Sequence, residues 1–411
     1  MKSLLNLHND DKRNVGGIRM KKKFWLGLTS ALLLAACGNG GEGGDTASGG
    51  NGGGGEGNVV IGGNFELSGD ASAYGTPMHQ GVQLAVEQIN ENGGVLGGDV
   101  EYKFYDNTSV AQEAASVATR LATEDEVVAI IVPATTGDAN AQTPAVTRAG
   151  VPAILPAATG DMVTMEDGET VLEYIFRVCF QDSFQGEVLA NFAQNDLGAT
   201  KAVILYDNST DYAVGLTEAF KSVFTGEIVD KPTFVGGETD FNSVLTTIRN
   251  KDFDVLFIPG YYEEAGLIIK QAREMGIDQP ILGPDGFANT TLLDLANPSN
   301  VNDVYYTGHF TPNSDDPLVQ DFLAAYEEKF GTPADSFAAL AYDAANLLFA
   351  AVEAAGSTDT DAVTEAIANT TDFEGITGTF SLDENHNPVK NTFVIELQNG
   401  EEVGHTVVEP Q

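Results

Sequence analysis

Basic residues are scarce in this 411-residue chain, where 20 lysines and arginines face 60 aspartates and glutamates. From Cys37 onward the count is 13 against 58, a net charge of −45. Such a balance excludes nucleic acid, whose phosphates would be repelled, and any broad contact with an anionic membrane surface. It also strains the compact state by self-repulsion, which salt relieves because the Debye length falls to about 3 Å at 1 M. A saline or alkaline habitat is the expectation.

Cysteine is nearly absent, with only Cys37 and Cys179. Cys179 lies in the apolar segment 174–180 and reads as a buried structural thiol, and with Cys37 otherwise engaged no disulfide is expected. Long apolar runs are lacking too. Residues 24–36 form a run of 13, short of the roughly 20 that span a bilayer. That run follows Lys21-Lys22-Lys23 and ends in Leu34-Ala35-Ala36-Cys37-Gly38, which resembles a bacterial lipoprotein signal. The resemblance implies cleavage before Cys37, diacylglyceryl on its sulfur, and a mature protein anchored to the outer face of the cell membrane. Residues 1–19 match no part of such a signal, so translation is expected to begin at Met20. Residues 38–57 are Gly-rich, have no aromatic residue and cannot bury a core, so 37–57 reads as a lipidated flexible tether.

Catalytic signatures are missing as well. No Gly-x-Ser-x-Gly, His-Glu-x-x-His or phosphate-binding Gly-x-x-x-x-Gly-Lys-Ser/Thr occurs, so an enzyme such as a surface hydrolase is disfavoured and no cofactor is expected. The stretch Asp383-Glu384-Asn385-His386-Asn387 alternates oxygen ligands, but Pro388 follows where a calcium loop needs glycine. It reads as a hairpin turn, and no metal site is expected.

What the chain does have, from residue 59 on, is a recurring strand, loop and helix. Val59-Val60-Ile61 opens a strand; Thr76-Pro77 supplies a helix cap and first-turn proline; Met78, Val82, Ala85, Val86 and Ile89 follow at helical spacing. Strands at 100–105, 127–132 and 151–155 alternate with a helix at 111–122. A second series begins after Asp182, with strands at 202–206, 255–259 and 281–283 among helices near 185–195, 214–224 and 263–275. Continuous rather than alternating apolar strands mean burial on both faces, hence parallel sheets covered by helices. The expectation is an α/β protein of two lobes. Ligands in such sheets bind at the carboxyl ends of strands. There one lobe offers hydroxyls and helix N-termini at Pro133-Ala134-Thr135-Thr136 and Pro156-Ala157-Ala158-Thr159, and the other offers Tyr212, Tyr261 and the turn carboxylate Asp285. This polarity suits a zwitterion.

Four segments in order, Leu67-Ser68-Gly69 with Tyr74-Gly75, residues 89–98, residues 155–159 and Gly283-Pro284-Asp285-Gly286, carry a family likeness. Over residues 59–403 the chain resembles the branched-chain (leucine/isoleucine/valine) amino-acid binding proteins of bacterial ABC transporters. The resemblance implies the bilobed type I periplasmic-binding-protein fold with a three-crossover hinge, here 58–178 plus 309–385 as lobe 1 and 179–308 plus 386–411 as lobe 2. It further implies carboxylate contacts at Thr135, Ala157 and Thr159, an ammonium contact at Asp285, closure by Tyr212 and Tyr261, and Tyr74 at the pocket mouth. The family's type member has glutamate where Asp285 stands and a cysteine where Ala134 stands. Phe337 either faces the ligand or packs in the core. The partners implied are a free apolar amino acid and ABC permease subunits, met by a monomer. The alternatives are the same fold with an amide, urea-like or aromatic-acid ligand, and, from another class, the hydrolase.

Overall fold

A computed structural model describes residues 59–410. The signal, Cys37 and the tether lie outside the described residues.

The first sheet is parallel throughout, in the order β2-β1-β3-β4-β5. Its strands are β1 (Val59–Phe65), β2 (Val100–Asp106), β3 (Ala129–Ile131), β4 (Ala153–Leu155) and β5 (Ile175–Arg177), linked by helices α1 (Ser72–Glu91), α2 (Ala111–Thr123) and α3 (Thr136–Ala149). The short strands β3 and β4, inside the sheet, and β5 at its edge are buried at every position, β3 and β4 as continuous apolar runs require.

Past β5 the chain passes to a second unit. It runs through α4 (Asp182–Asn195), β6 (Lys201–Ile204), β7 (Tyr206–Asp207), α5 (Asp211–Val223), β8 (Glu227–Asp230), β9 (Thr233–Phe234), α6 (Asn242–Arg249), β10 (Val255–Phe257), α7 (Tyr262–Glu274), β11 (Ile281–Gly283), α8 (Thr290–Ala296) and β12 (Asn302–Gly308). It then returns to cover the first sheet with α9 (Pro317–Phe330), α10 (Ser336–Ala355) and α11 (Thr360–Ala368), and with the small antiparallel sheet β13 (Phe373–Gly375), β14 (Gly378–Leu382) and β15 (Pro388–Val389). A third crossing delivers β16 (Thr392–Gln398) and β17 (Glu401–Val408) to the second sheet, whose order is β17-β16-β12-β11-β10-β6-β8. Two α/β lobes joined by three crossings are the architecture expected from the sequence.

Helix α10 is long and apolar enough by composition to cross a membrane, yet 72% of its apolar window is buried. It serves as core, packed along α1.

Two local expectations need correction. Helix α1 starts at Ser72, not after Thr76, and holds Pro77 in its interior. The extra turn is stabilised by burial of Tyr74 and by Gly75, which lies so close to β1 that an added Cβ would stand 2.2 Å from the Glu66 carbonyl oxygen. Residues 386–389, expected with lobe 2, pack on the first sheet. β15 pairs with β14, Arg177 N donates to His386 O at 3.2 Å, and Arg177 Nε donates to Asn387 Oδ1 at 2.6 Å. The turn before them is a hairpin closed by Asp383 Oδ1, which accepts from the amides of Asn385 and Asn387.

Candidate functional site

Loops at the carboxyl ends of the parallel strands of both sheets meet around a small cavity lined by Tyr74, Ala134, Thr136, Ala157, Thr159, Tyr212, Tyr261, Asp285, Gly286 and Phe337. About 240 Å³ there is unfilled by protein atoms, but water centres sweep only about 10 Å³, the room of a single water. The lobes are therefore shut tightly. Tyr74 on α1 is the main link: its hydroxyl donates to Gly286 O at 2.8 Å and accepts from Tyr262 N at 2.9 Å. Tyr262 answers by donating to Asp70 O at 2.7 Å. Tyr212 and Tyr261 stack nearly parallel, 5.0 Å between centroids, as one aromatic wall.

The lobe 1 wall is a set of loops held from behind. Arg177, wholly buried, donates through Nη1 to Thr159 O at 3.0 Å and to Gly160 O at 2.9 Å, which fixes the loop carrying Ala157 and Thr159. Thr136 is braced against the same loop, its Oγ1 accepting from Gly160 N at 3.1 Å. Thr135 is placed differently. Its Oγ1 caps α3 by accepting from Asp138 N at 3.2 Å, and it borders a neighbouring depression with Asp70, Asp207 and Glu263 rather than the cavity. The adjacent threonine takes the cavity position, because the cap requires residue 135 to turn toward the helix axis.

Sequence reasoning passed over Glu66, which sits wholly buried behind this wall. Its carboxyl accepts from Ala134 N at 3.0 Å and Thr135 N at 3.1 Å, occupying amides at the start of α3. Burial, with a smaller contribution from the Asp138 charge, pushes the Glu66 carboxyl up to about 8. The visible sign in the sequence was its position directly after β1, at a strand's carboxyl end.

The lobe 2 wall centres on Asp285, 3% exposed. Oδ1 accepts from Tyr212 Oη at 2.6 Å and from Gln185 Nε2 at 3.1 Å, while Gln185 Oε1 accepts from Asp285 N at 3.1 Å and Thr307 Oγ1 at 2.8 Å. Gln185 was also missed, since a lone glutamine on a helix carries no pattern. Near Oδ2, at 3.5 Å, stands His309 Nε2. Burial pushes that imidazole down to about 4 and leaves it neutral, with Phe180 stacked on it at 3.5 Å. The nearby Asp182 carboxyl is driven well up by burial and then by the charge of Asp285. Asp285 is thus held by neutral donors, and no cation among its partners compensates it. Cys179, behind the wall, is buried and pushed up to about 12, which makes it an inert thiol.

Two lobes joined by three crossings of the chain and a cleft between them walled by Asp285 define a solute receptor. A family model for periplasmic binding proteins matches residues 58–402, and the chain belongs to that family, in its branched-chain amino-acid ABC-transporter group. It is 42% identical to the branched-chain amino acid transporter substrate binding protein LivJ of Streptococcus pneumoniae, solved in complex with isoleucine. That match covers 86% of this chain and 100% of the other, with a TM-score of 0.82. The leucine binding protein LivK of Thermotoga maritima is 34% identical over 86% of this chain and 99% of its own, with a TM-score of 0.80. A Leu/Ile/Val-binding protein homolog of Brucella melitensis is 29% identical over 331 residues, 80% of this chain and 88% of that relative.

Proposed function

We propose that this protein is the extracytoplasmic receptor of an ABC importer and that it closes its lobes on one free amino acid with an apolar side chain. The observation that carries the reading is Asp285, a carboxylate facing an otherwise uncharged cavity of tyrosines, threonines and Phe337. The α-ammonium would pair with Asp285. The α-carboxylate would sit among Thr136, Thr159 and the main chain at Ala157, near the start of α3. Phe337 and the tyrosines give the side chain an apolar surround. Two or three charge-assisted hydrogen bonds at about 1.5–3 kcal/mol each, added to side-chain burial, reach micromolar affinity, about −8 kcal/mol. Entry requires the lobes to part and re-close around the ligand, and the permease reads the closed shape. The names of the 42% and 34% identical relatives support the same ligand class.

Lipidation of Cys37, cleavage before it, the tether at 37–57 and a monomeric state on the outer face of the cell membrane belong to the same proposal. Calorimetry against the twenty amino acids, with benzoate, urea and an aliphatic amide as controls, tests the ligand. Heat from apolar amino acids alone is the expected result, whereas heat only from a control shifts the reading to the other ligand class. Cys37→Ala is expected to release the protein from membranes with its affinity unchanged.

A further inference from the structure

The lobe 1 wall of the cleft has an acid built into its back. Glu66 follows β1 directly, and its wholly buried side chain reaches the start of α3. Oε1 accepts from Ala134 N at 3.0 Å and from Thr135 N at 3.1 Å, and Oε2 shares the Ala134 amide at 3.0 Å. Ala134 also lines the cavity, as does Thr136 two residues on. The amide that Glu66 holds therefore belongs to a residue of the wall that faces the ligand's carboxylate.

On its other side Glu66 hydrogen-bonds with the carboxyl of Asp138, in the first turn of α3. Two carboxyls in contact and away from water do not both ionise, so one proton lies between them. Burial raises Asp138 as well, while hydrogen bonds from Thr135 and Glu66 favour its charged form, which makes Glu66 the donor. Glu66 is also the more deeply enclosed of the two. Since Oε1 alone can serve both amides, Oε2 is left to carry the proton. No cation substitutes for it: the one charge that bears on Glu66 is that of Asp138. The Tyr261 hydroxyl faces both acids from the start of α7, where burial and the charges of Asp182, Glu66 and Asp138 keep it protonated. Asp106 on β2 turns instead to the amides of Leu67 and Ser68.

We propose that Glu66 is a specificity-determining residue, a role that rests on the amino-acid reading of the cleft, and that its proton decides whether the site accepts a carboxylate. Protonated, Glu66 braces the start of α3 without adding charge, and the positive end of the helix dipole remains available to the ligand. Ionised, it spends that dipole and places a second negative charge behind the wall, where the low dielectric leaves the repulsion unscreened. The receptor then loses its hold on amino acids in alkali, although Glu66 touches no part of the ligand.

Calorimetry with isoleucine, leucine and valine at pH 6.5 and pH 9 tests this on the full-length protein, wild type against Glu66→Gln. The glutamine retains an oxygen for the two amides and an N–H for Asp138, and so copies the protonated acid. At pH 6.5 the two proteins are expected to bind alike, within about threefold, and at pH 9, one unit above the Glu66 value of about 8, the wild type is expected to bind about tenfold more weakly. Titration of the ligand's ammonium acts on both proteins and cancels in the ratio. Asp138→Asn removes the neighbouring charge and is expected to move the loss of affinity to lower pH, a shift that a merely structural brace would not give. A ratio that stays the same at both pH values overturns the role of Glu66 and leaves the amino-acid reading standing. Should Glu66→Gln fail to fold, a wild-type profile that is flat from pH 6.5 to pH 9, or one whose midpoint Asp138→Asn leaves in place, overturns it equally. If none of the three amino acids binds the wild type at pH 6.5, the reading of the cleft falls and the role of Glu66 falls with it.

Discussion

Tyr74 and Gly286 lie 212 residues apart in sequence and share a 2.8 Å hydrogen bond across the cleft. The same hydroxyl accepts from Tyr262 N, so a single oxygen of lobe 1 engages two backbone groups of lobe 2. Tyr74→Phe removes both bonds and leaves a buried amide unmet, a cost of about 1–3 kcal/mol that falls on the closed form. Amino-acid affinity is expected to drop about tenfold, and small-angle scattering should show a wider mean separation of lobes. An unchanged affinity would mean that Tyr74 only packs.

Asp285→Ala is expected to weaken amino-acid binding tenfold or more, because it leaves a buried ammonium without its counter-charge. Calorimetry with the preferred amino acid measures this directly. Asp285→Asn, which retains the shape and the hydrogen bonds to Tyr212 and Gln185, should fail almost as badly if charge is what matters.

Glu66 should make the fold sensitive to alkali. Its folded-state value of about 8 lies above the 4.5 of an ordinary glutamate, so the native state holds a proton that the unfolded chain has lost. For an acid raised in this way, stability is greatest below the unfolded value and declines as pH climbs from about 4.5 to about 8. Glu66→Gln retains the shape and the accepting oxygen but has no proton to lose. The variant's melting temperature relative to wild type is therefore expected to rise between pH 5 and pH 9. A constant difference would mean that the Glu66 carboxyl titrates normally.

The net charge of −45 from Cys37 onward predicts a salt response opposite to that of a protein held by surface ion pairs. Melting temperature should climb between low and molar salt. A flat or falling curve removes the inference about habitat.

Much of the architecture was legible because a helix and a doubly buried strand each have a period, and the chain alternates them cleanly. Asp285 gained weight only through the family resemblance, since an aspartate between Gly-Pro and Gly reads locally as a turn residue; the structure puts it in the cavity wall. Thr135 shows where such reasoning stops: two adjacent threonines are equivalent on paper, and only the direction of α3 decides which caps and which faces the cavity. Gln185 and His309 lack any local pattern, Glu66 shows only its place at the end of β1, and all three meet their partners only when distant loops converge.

The sequence by itself determined the order of strands and helices, the acidic surface and the loops that end at the cleft. These follow from local periodicity, composition and the rule that parallel strands present ligands at their carboxyl ends. The tertiary structure alone decided that Tyr74 latches onto Gly286 and that Asp285 stands among neutral partners. Each depends on distances between segments hundreds of residues apart, and those distances are fixed by packing rather than by any neighbour in the chain.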